Sequence, residues 1–360
     1  MRAFFVVGLL GVALGGCSSG NDGGAGSASG GTAGSTGGAG GTAGTASGGA
    51  SGSGSGGSAG TEFDCGTAPT APDPRALPKE IVDAAPELTL RATSLRLEVW
   101  TPAASPLDAV EVVGFGKSAC DALLFDLESF QLPESSPELA RRVRIVVVDP
   151  PTFGAATGAP GAYGVSFPQI GGRSDAVILP DDGFSNLFEL DDTLAHELSH
   201  IAASRRAPYD AFIPWWLVEG TAVMHGSYFG VKLHGLPTSF VGPWIDVADG
   251  ADATLTFDRY GLEDKTTNLG ETGHDQALSG FFVEFLRVRV ARPQNGSGFP
   301  DIESRLLAVM KRVSDGDDLS VAFAGELEGV TLDAAQASYV QFLDDTVGDL
   351  PTRYAGTVFE

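Results

Sequence analysis

The sequence predicts an α+β domain, strands first and helices after, carried behind a long flexible leader. Three observations predict it. Apolar runs at 88–99, 143–148 and 175–179, alternating or continuous, have the pattern of strands. After them the apolar spacing turns helical, in segments near 187–204, 213–228, 273–291, 300–313 and 331–347. Before them, residues 18–60 are almost wholly Gly, Ser, Ala and Thr, a composition that builds no core.

The leader comes first. Arg2 supplies a positive start and Ala3 to Leu14 an apolar stretch too short to span a bilayer as a mature helix. Leu14-Gly15-Gly16-Cys17 resembles the lipobox of bacterial lipoprotein signal peptides. The resemblance implies a signal peptide over 1–16, removed before a lipidated Cys17. It also implies an exported protein anchored by acyl chains to a bacterial membrane. Ser18, rather than Asp, after that Cys implies the outer membrane or cell surface. From Cys17 to residue 60 runs the linker, whose last 43 residues reach roughly 35–40 Å as a random coil.

Residues 61–360 are enough for a substantial core and for two lobes around a cleft, divided near 204/205. With Cys17 assigned to lipid, Cys65 and Cys120 form an even pair in an exported domain, which predicts a disulfide. A net charge of −24 argues against nucleic acid as a partner, because phosphates would be repelled. Within the domain, Leu88–Val99 and Val143–Val148 read as strands, with a helix over Ser118–Phe130 between them. Asp175–Leu179 reads as a short strand. No internal repeat is visible.

The helix after that strand holds His196-Glu197-Leu198-Ser199-His200, an H-E-x-x-H motif. Positions i and i+4 share a helix face, so both imidazoles can point at one ion. Glu197 follows the first His, where a carboxylate can take a proton from a metal-bound water. Leu190, Leu194, Leu198 and Ile201 give the helix an apolar stripe that needs no metal to explain it. A catalytic zinc site usually has three protein ligands. A continuation with Gly at 203 and His at 206 is absent: those positions hold Ala203 and Arg206. The next helix carries Trp216-Leu217-Val218-Glu219-Gly220-Thr221-Ala222, with eighteen residues between His200 and Glu219 and with Pro214 suited to its first turn.

H-E-x-x-H followed by W-L-x-E-G-x-A, with its Glu eighteen residues beyond the second His, resembles the gluzincin metallopeptidases, the thermolysin and M1-aminopeptidase group. The likeness covers roughly residues 175–290. It implies a zincin-like fold, with a sheet-bearing N-terminal lobe, active-site helices and a helical C-terminal lobe. The strand at 175–179 would then be the sheet edge that pairs with an extended peptide or protein substrate. It implies one zinc ion per chain held by His196, His200 and Glu219, with Glu197 as general base. His274 opens the 273–291 segment on the same side as Leu278, Phe281 and Phe285. By the same likeness it is a candidate oxyanion donor; a His capping a helix start is the other reading. His225 and His234 follow Glu219 closely and are candidates to line the cleft, with a non-catalytic role as the favoured reading of each. The chain lacks the G-A-M-E-N anchor of aminopeptidases. Val223 stands where the thermolysin pattern has an Asp, which leaves Asp192 as the candidate partner of a ligand His. The function expected is an exported, lipid-anchored zinc metallopeptidase. The alternative is a surface lipoprotein that uses the same fold as a non-catalytic binding or assembly module.

Overall fold

Among the described residues six strands form one mixed sheet. The structure is a computed structural model. It describes residues 60–346, apart from 68–69, 134, 137–139, 161, 169–172, 183–186, 209–212, 235–278, 281 and 291–298. The strands are β1 (Thr61–Glu62), β2 (Leu88–Thr93), β3 (Leu97–Pro102), β4 (Val143–Val148), β5 (Val165–Phe167) and β6 (Ala176–Pro180). Their order in the sheet is β1-β2-β3-β4-β6-β5. β3, β4 and β6 run parallel, β2 lies antiparallel to β3 and parallel to β1, and β5 lies antiparallel to β6.

β6 is continuously apolar, and β4 is so apart from Arg144, because both their faces are covered. Ile145 and Val147 of β4, with Val177 and Leu179 of β6, face the larger core. Val146, Val148, Ala176 and Ile178 face a smaller one. Helices α1 (Lys79–Ala84) and α3 (Pro150–Thr157) contribute Ile81 and Phe153 to the smaller core. The larger core takes in α2 (Ala109–Ser129), α4 (Leu187–Arg206), α5 (Trp215–His234) and α6 (Phe299–Ser314). It is completed by α7 (Leu319–Glu326), α8 (Leu332–Thr346) and a helical stretch from Ser279 that ends as a π-helix, Leu286–Val290. No described helix is long and apolar enough to cross a membrane.

Several expectations need correction. The 88–99 strand is a hairpin: Ser94 turns the chain, its Oγ accepting from Leu97 N at 3.0 Å. The helix expected from Ser118 starts nine residues earlier, at a capping box in which Asp108 and Glu111 satisfy each other's backbone N–H groups. Gly116 sits inside it because a Cβ there would meet the Phe63 ring at 2.6 Å. The strand at 175–179 is β6, which lies between β4 and β5, so it is not the edge. The edge next to α4 is β5. Pro214 precedes α5 and starts it through its carbonyl, which accepts from Leu217 N at 3.1 Å. Helices α1, α3 and α7 are additions to the expected set.

Candidate metal centre

The motif helix is fixed to the sheet at two levels. Leu190, Leu194, Leu198 and Ile201 bury their stripe in the larger core. At the C-terminal end Arg205 donates to Asp175, just before β6, at 2.9 Å, and to the Arg141 carbonyl at 3.1 Å. Asp175 is in turn 3.5 Å from Arg75, which grips Asp73. With its core face so committed, α4 turns His196, Glu197 and His200 toward β5 and α5.

Gly226 lets α5 come close to α4, and Gly220 lets the Ser279 stretch come close to α5. A Cβ on Gly226 would stand 2.6 Å from the Asp192 carbonyl oxygen, and one on Gly220 would stand 2.5 Å from that of Ser279. The approach brings Glu219 to the two imidazoles. His196 Nε2 and His200 Nε2 are 3.3 Å apart. Glu219 Oε2 lies 3.5 Å from His196 Nε2, and Oε1 lies 3.4 Å from His200 Nε2. These three residues form the one group among the described residues whose ligand atoms lie together as a metal needs. His200 and Glu219 side chains are 1% exposed and His196 is 16% exposed, so the site opens on the His196 side.

Zinc fits this set. Ligand bonds of about 2.0–2.1 Å at tetrahedral angles put donor atoms about 3.3–3.4 Å apart, close to the three separations found. Two buried imidazole nitrogens 3.3 Å apart also cannot both carry a proton along the line between them. Burial weighs against charge on both rings. The carboxylates of Glu219, Glu197 and Asp192 nevertheless push His196 up to about 9. His200 is driven down to about 4 by burial, with the charge on His196 adding to it. A divalent cation would displace the proton held on His196.

Glu197 is buried, and burial pushes its carboxyl up, with the Glu219 charge adding to this. His196 and the hydroxyl and backbone of Ser166 pull the other way. Ser166 belongs to β5, and Gly164 just before it leaves room: a Cβ there would meet Glu197 Cγ at 3.1 Å. Asp192 acts on His196 through its charge, and burial lifts its own carboxyl to about 6.

Other expected residues lie elsewhere. His225 does not line the cleft: it is fully buried, with Nδ1 2.7 Å from Asp126 Oδ1 and Nε2 3.1 Å from Glu303 Oε2. Cys65 and Cys120 are joined by a disulfide, their Cα atoms 5.5 Å apart. Cys17, the linker up to residue 59, His274 and the His234 side chain lie outside the described residues. Sequence reasoning missed Ser166 and Gly164, since a three-residue strand has too little alternation to register. It also missed Asp126 and Glu303, which are 99 and 78 positions from His225. Compared with known proteins, the chain matches no family model and no curated protein.

Proposed function

We propose that this chain is an exported, lipid-anchored zinc metallopeptidase with a gluzincin-like, zincin-type fold. The observation that carries the reading is the meeting of His196, His200 and Glu219, from two helices, beside a buried Glu197. His196, His200 and Glu219 would hold the ion. Bound there, zinc would supply Lewis acidity, lowering the pKa of water toward about 7 and stabilising negative charge on a scissile carbonyl oxygen.

Glu197 is the group that moves the proton. Its raised pKa brings it nearer to neutrality, where one carboxylate can accept a proton from the attacking water and return it to the leaving amine. Ser166, on the neighbouring strand, limits that rise. The antiparallel edge strand β5 stands beside Glu197, in position to align an extended peptide. His274 is the candidate oxyanion donor, a contribution on the order of 3 kcal/mol. The lipobox at Cys17 and the Gly/Ser linker would hold the domain off the membrane.

The test compares the wild-type chain with Glu197→Gln. Wild type is expected to purify with one zinc per chain and to cleave an unfolded protein in a chelator-sensitive way. Glu197→Gln is expected to keep zinc and lose at least about 10²-fold in turnover. Cleavage that survives Glu197→Gln refutes the assignment. Zinc without any wild-type cleavage favours the binding-module reading.

A further inference from the structure

Beneath the metal centre lies a polar group that the proposed chemistry does not use. Asp126 of α2, His225 of α5 and Glu303 of α6 are each 0% exposed, and the imidazole bonds one carboxylate through each nitrogen. Phe130 lies 4.3 Å from the imidazole, ring centre to ring centre, and Phe125 meets it edge-on at 6.0 Å. Asp126 Oδ2 and Glu303 Oε1 find no partner among the described residues. The carboxylates therefore engage the imidazole through one oxygen each and leave the other buried, without a partner among the described residues. Stability does not explain this arrangement. Well-packed apolar side chains in place of a buried ionic triad are often neutral or stabilising. A buried polar network is better suited to selecting one register of packed helices.

α5 needs such a selector. Its buried contacts through Trp216, Leu217, Met224 and Phe229 are apolar and non-directional. At its closest approaches, Gly220 and Gly226 offer no side chain to interlock. Yet Glu219 must be held closely, because metal–ligand distances tolerate about 0.2 Å. Glu219 sits six positions, about 9 Å of rise, from His225, and a turn of the helix by about 20° would carry its carboxylate about 2 Å away. An imidazole fastened on both sides, to α2 and to α6, resists that turn.

The geometry points to Asp126, His225 and Glu303 as a positioning triad that sets the rotation of α5, and so the place of Glu219 opposite His196 and His200. The inference rests on the metal-centre reading above. Nearby, Tyr228 donates to Glu284 at 2.7 Å and Arg287 pairs with the same carboxylate at 2.6 Å, fastening the next turn of α5 to the Ser279 stretch. Those bonds act further along α5 from Glu219.

The test uses the full chain and reads the metal rather than turnover. In Asp126→Val/His225→Leu/Glu303→Leu the directional bonds are gone and the apolar volume is kept. This variant is expected to melt at or above the wild-type temperature. It should nonetheless bind zinc about 10–100-fold more weakly in competition with a chelator, the scale for groups that orient ligands. The visible spectrum of the cobalt-loaded protein should change in band position and intensity. Among single variants, His225→Gln, which keeps a donor near Glu303, should lie between wild type and His225→Leu. A folded triple variant with wild-type zinc affinity and cobalt spectrum overturns the triad's role and leaves the metal centre standing. Should the triple variant not fold, the single variants decide: equal zinc affinity in wild type, His225→Gln and His225→Leu overturns it as well. A wild-type chain that binds no zinc refutes the metal centre itself, and this inference with it.

Discussion

Replacing Gly220 by alanine probes how closely the two ligand-bearing helices depend on their neighbours. In an open helix the change helps: Ala is favoured over Gly by about 1 kcal/mol. At Gly220 the new Cβ would stand 2.5 Å from the Ser279 carbonyl oxygen, 2.8 Å from its carbonyl carbon and 3.1 Å from Val283 Cγ2. Carbon approaches a carbonyl oxygen to about 3.3 Å, so the backbones must part by about 0.8 Å. Both sides of the contact are main chain and neither can swing away. Overpacking of this kind costs about 1–3 kcal/mol, the upper end applying when backbone has to move. After the helix gain is subtracted, the net loss is about 1–2 kcal/mol, a fall in Tm of roughly 2–8 °C. The displacement falls next to Glu219, so zinc affinity should drop by about tenfold or more. Gly114 is the control. It is exposed on α2, and a Cβ there would have nothing within 4 Å, so Gly114→Ala should gain up to about 1 kcal/mol and leave zinc alone. Calorimetry and chelator competition on both variants give the answer. A Gly220→Ala protein that gains stability like Gly114→Ala, with zinc unchanged, refutes the close-approach argument.

Three further outcomes are expected. Cys65→Ala/Cys120→Ala should lose about 4 kcal/mol in denaturant unfolding, from the loop closed by a sequence separation of 55; a loss under about 1 kcal/mol contradicts this. The triad should give stability a pH dependence. Two bonds on one imidazole need one proton beyond that of the neutral ring, and burial pushes Asp126 and Glu303 up and His225 down, which puts that proton on a carboxyl. The charge on Glu284 also raises Glu303, while the charge on His196 lowers His225 further. The unfolded chain binds one proton at these three sites between about pH 4 and 6.5, through its His, and none above. Stability from the triad is therefore level in that window and falls as pH rises beyond it, by up to about 1.4 kcal/mol per pH unit until the folded carboxyl titrates. The sign follows because above that window the folded triad holds a proton that the unfolded chain has lost. Denaturation of wild type and the triple variant across about pH 5–9 isolates this slope; parallel curves contradict it. Finally, Cys17→Ser should move the protein from detergent-extracted membranes to a soluble exported fraction, because the linker has no apolar surface to insert. Unchanged partitioning refutes lipidation there.

The parts of the fold legible in the sequence were those with long local patterns. β4 was readable because Val143 to Val148 is apolar with one interruption, Arg144, and α4 because its leucines recur at helical spacing. The start of α2 was hidden by Gly114 and Gly116, although Asp108 and Glu111 spelled out its cap. The 88–99 hairpin was hidden because its turn, Ser94-Leu95-Arg96, contains neither Gly nor Pro. At the site, ligand candidates on one helix or one short spacing could be named in advance. His225 could not be placed, since one histidine in an apolar helix does not say which distant carboxylates it will meet. The identity of the sheet edge depends on the order of strands, which pairs β6 with β4 and β5 across a chain reversal that three residues of β5 do not announce.

The disulfide also decides how the domain bears tension. Load arriving from residue 59 first meets β1, whose two residues lie exposed against β2, with Phe63 N bonded to the Thr93 carbonyl at 3.0 Å. Hydrogen bonds in so short a strand open one after another, and alone they would let the sheet unravel from its edge. Three residues past β1 the load reaches Cys65 and crosses a covalent bond to Cys120, in the buried face of α2. Residues 66–119, with α1, β2, β3 and the first half of α2, are then spared the pull. The oxidised protein yields only the slack before Cys65, whereas the reduced protein can unspool this whole segment.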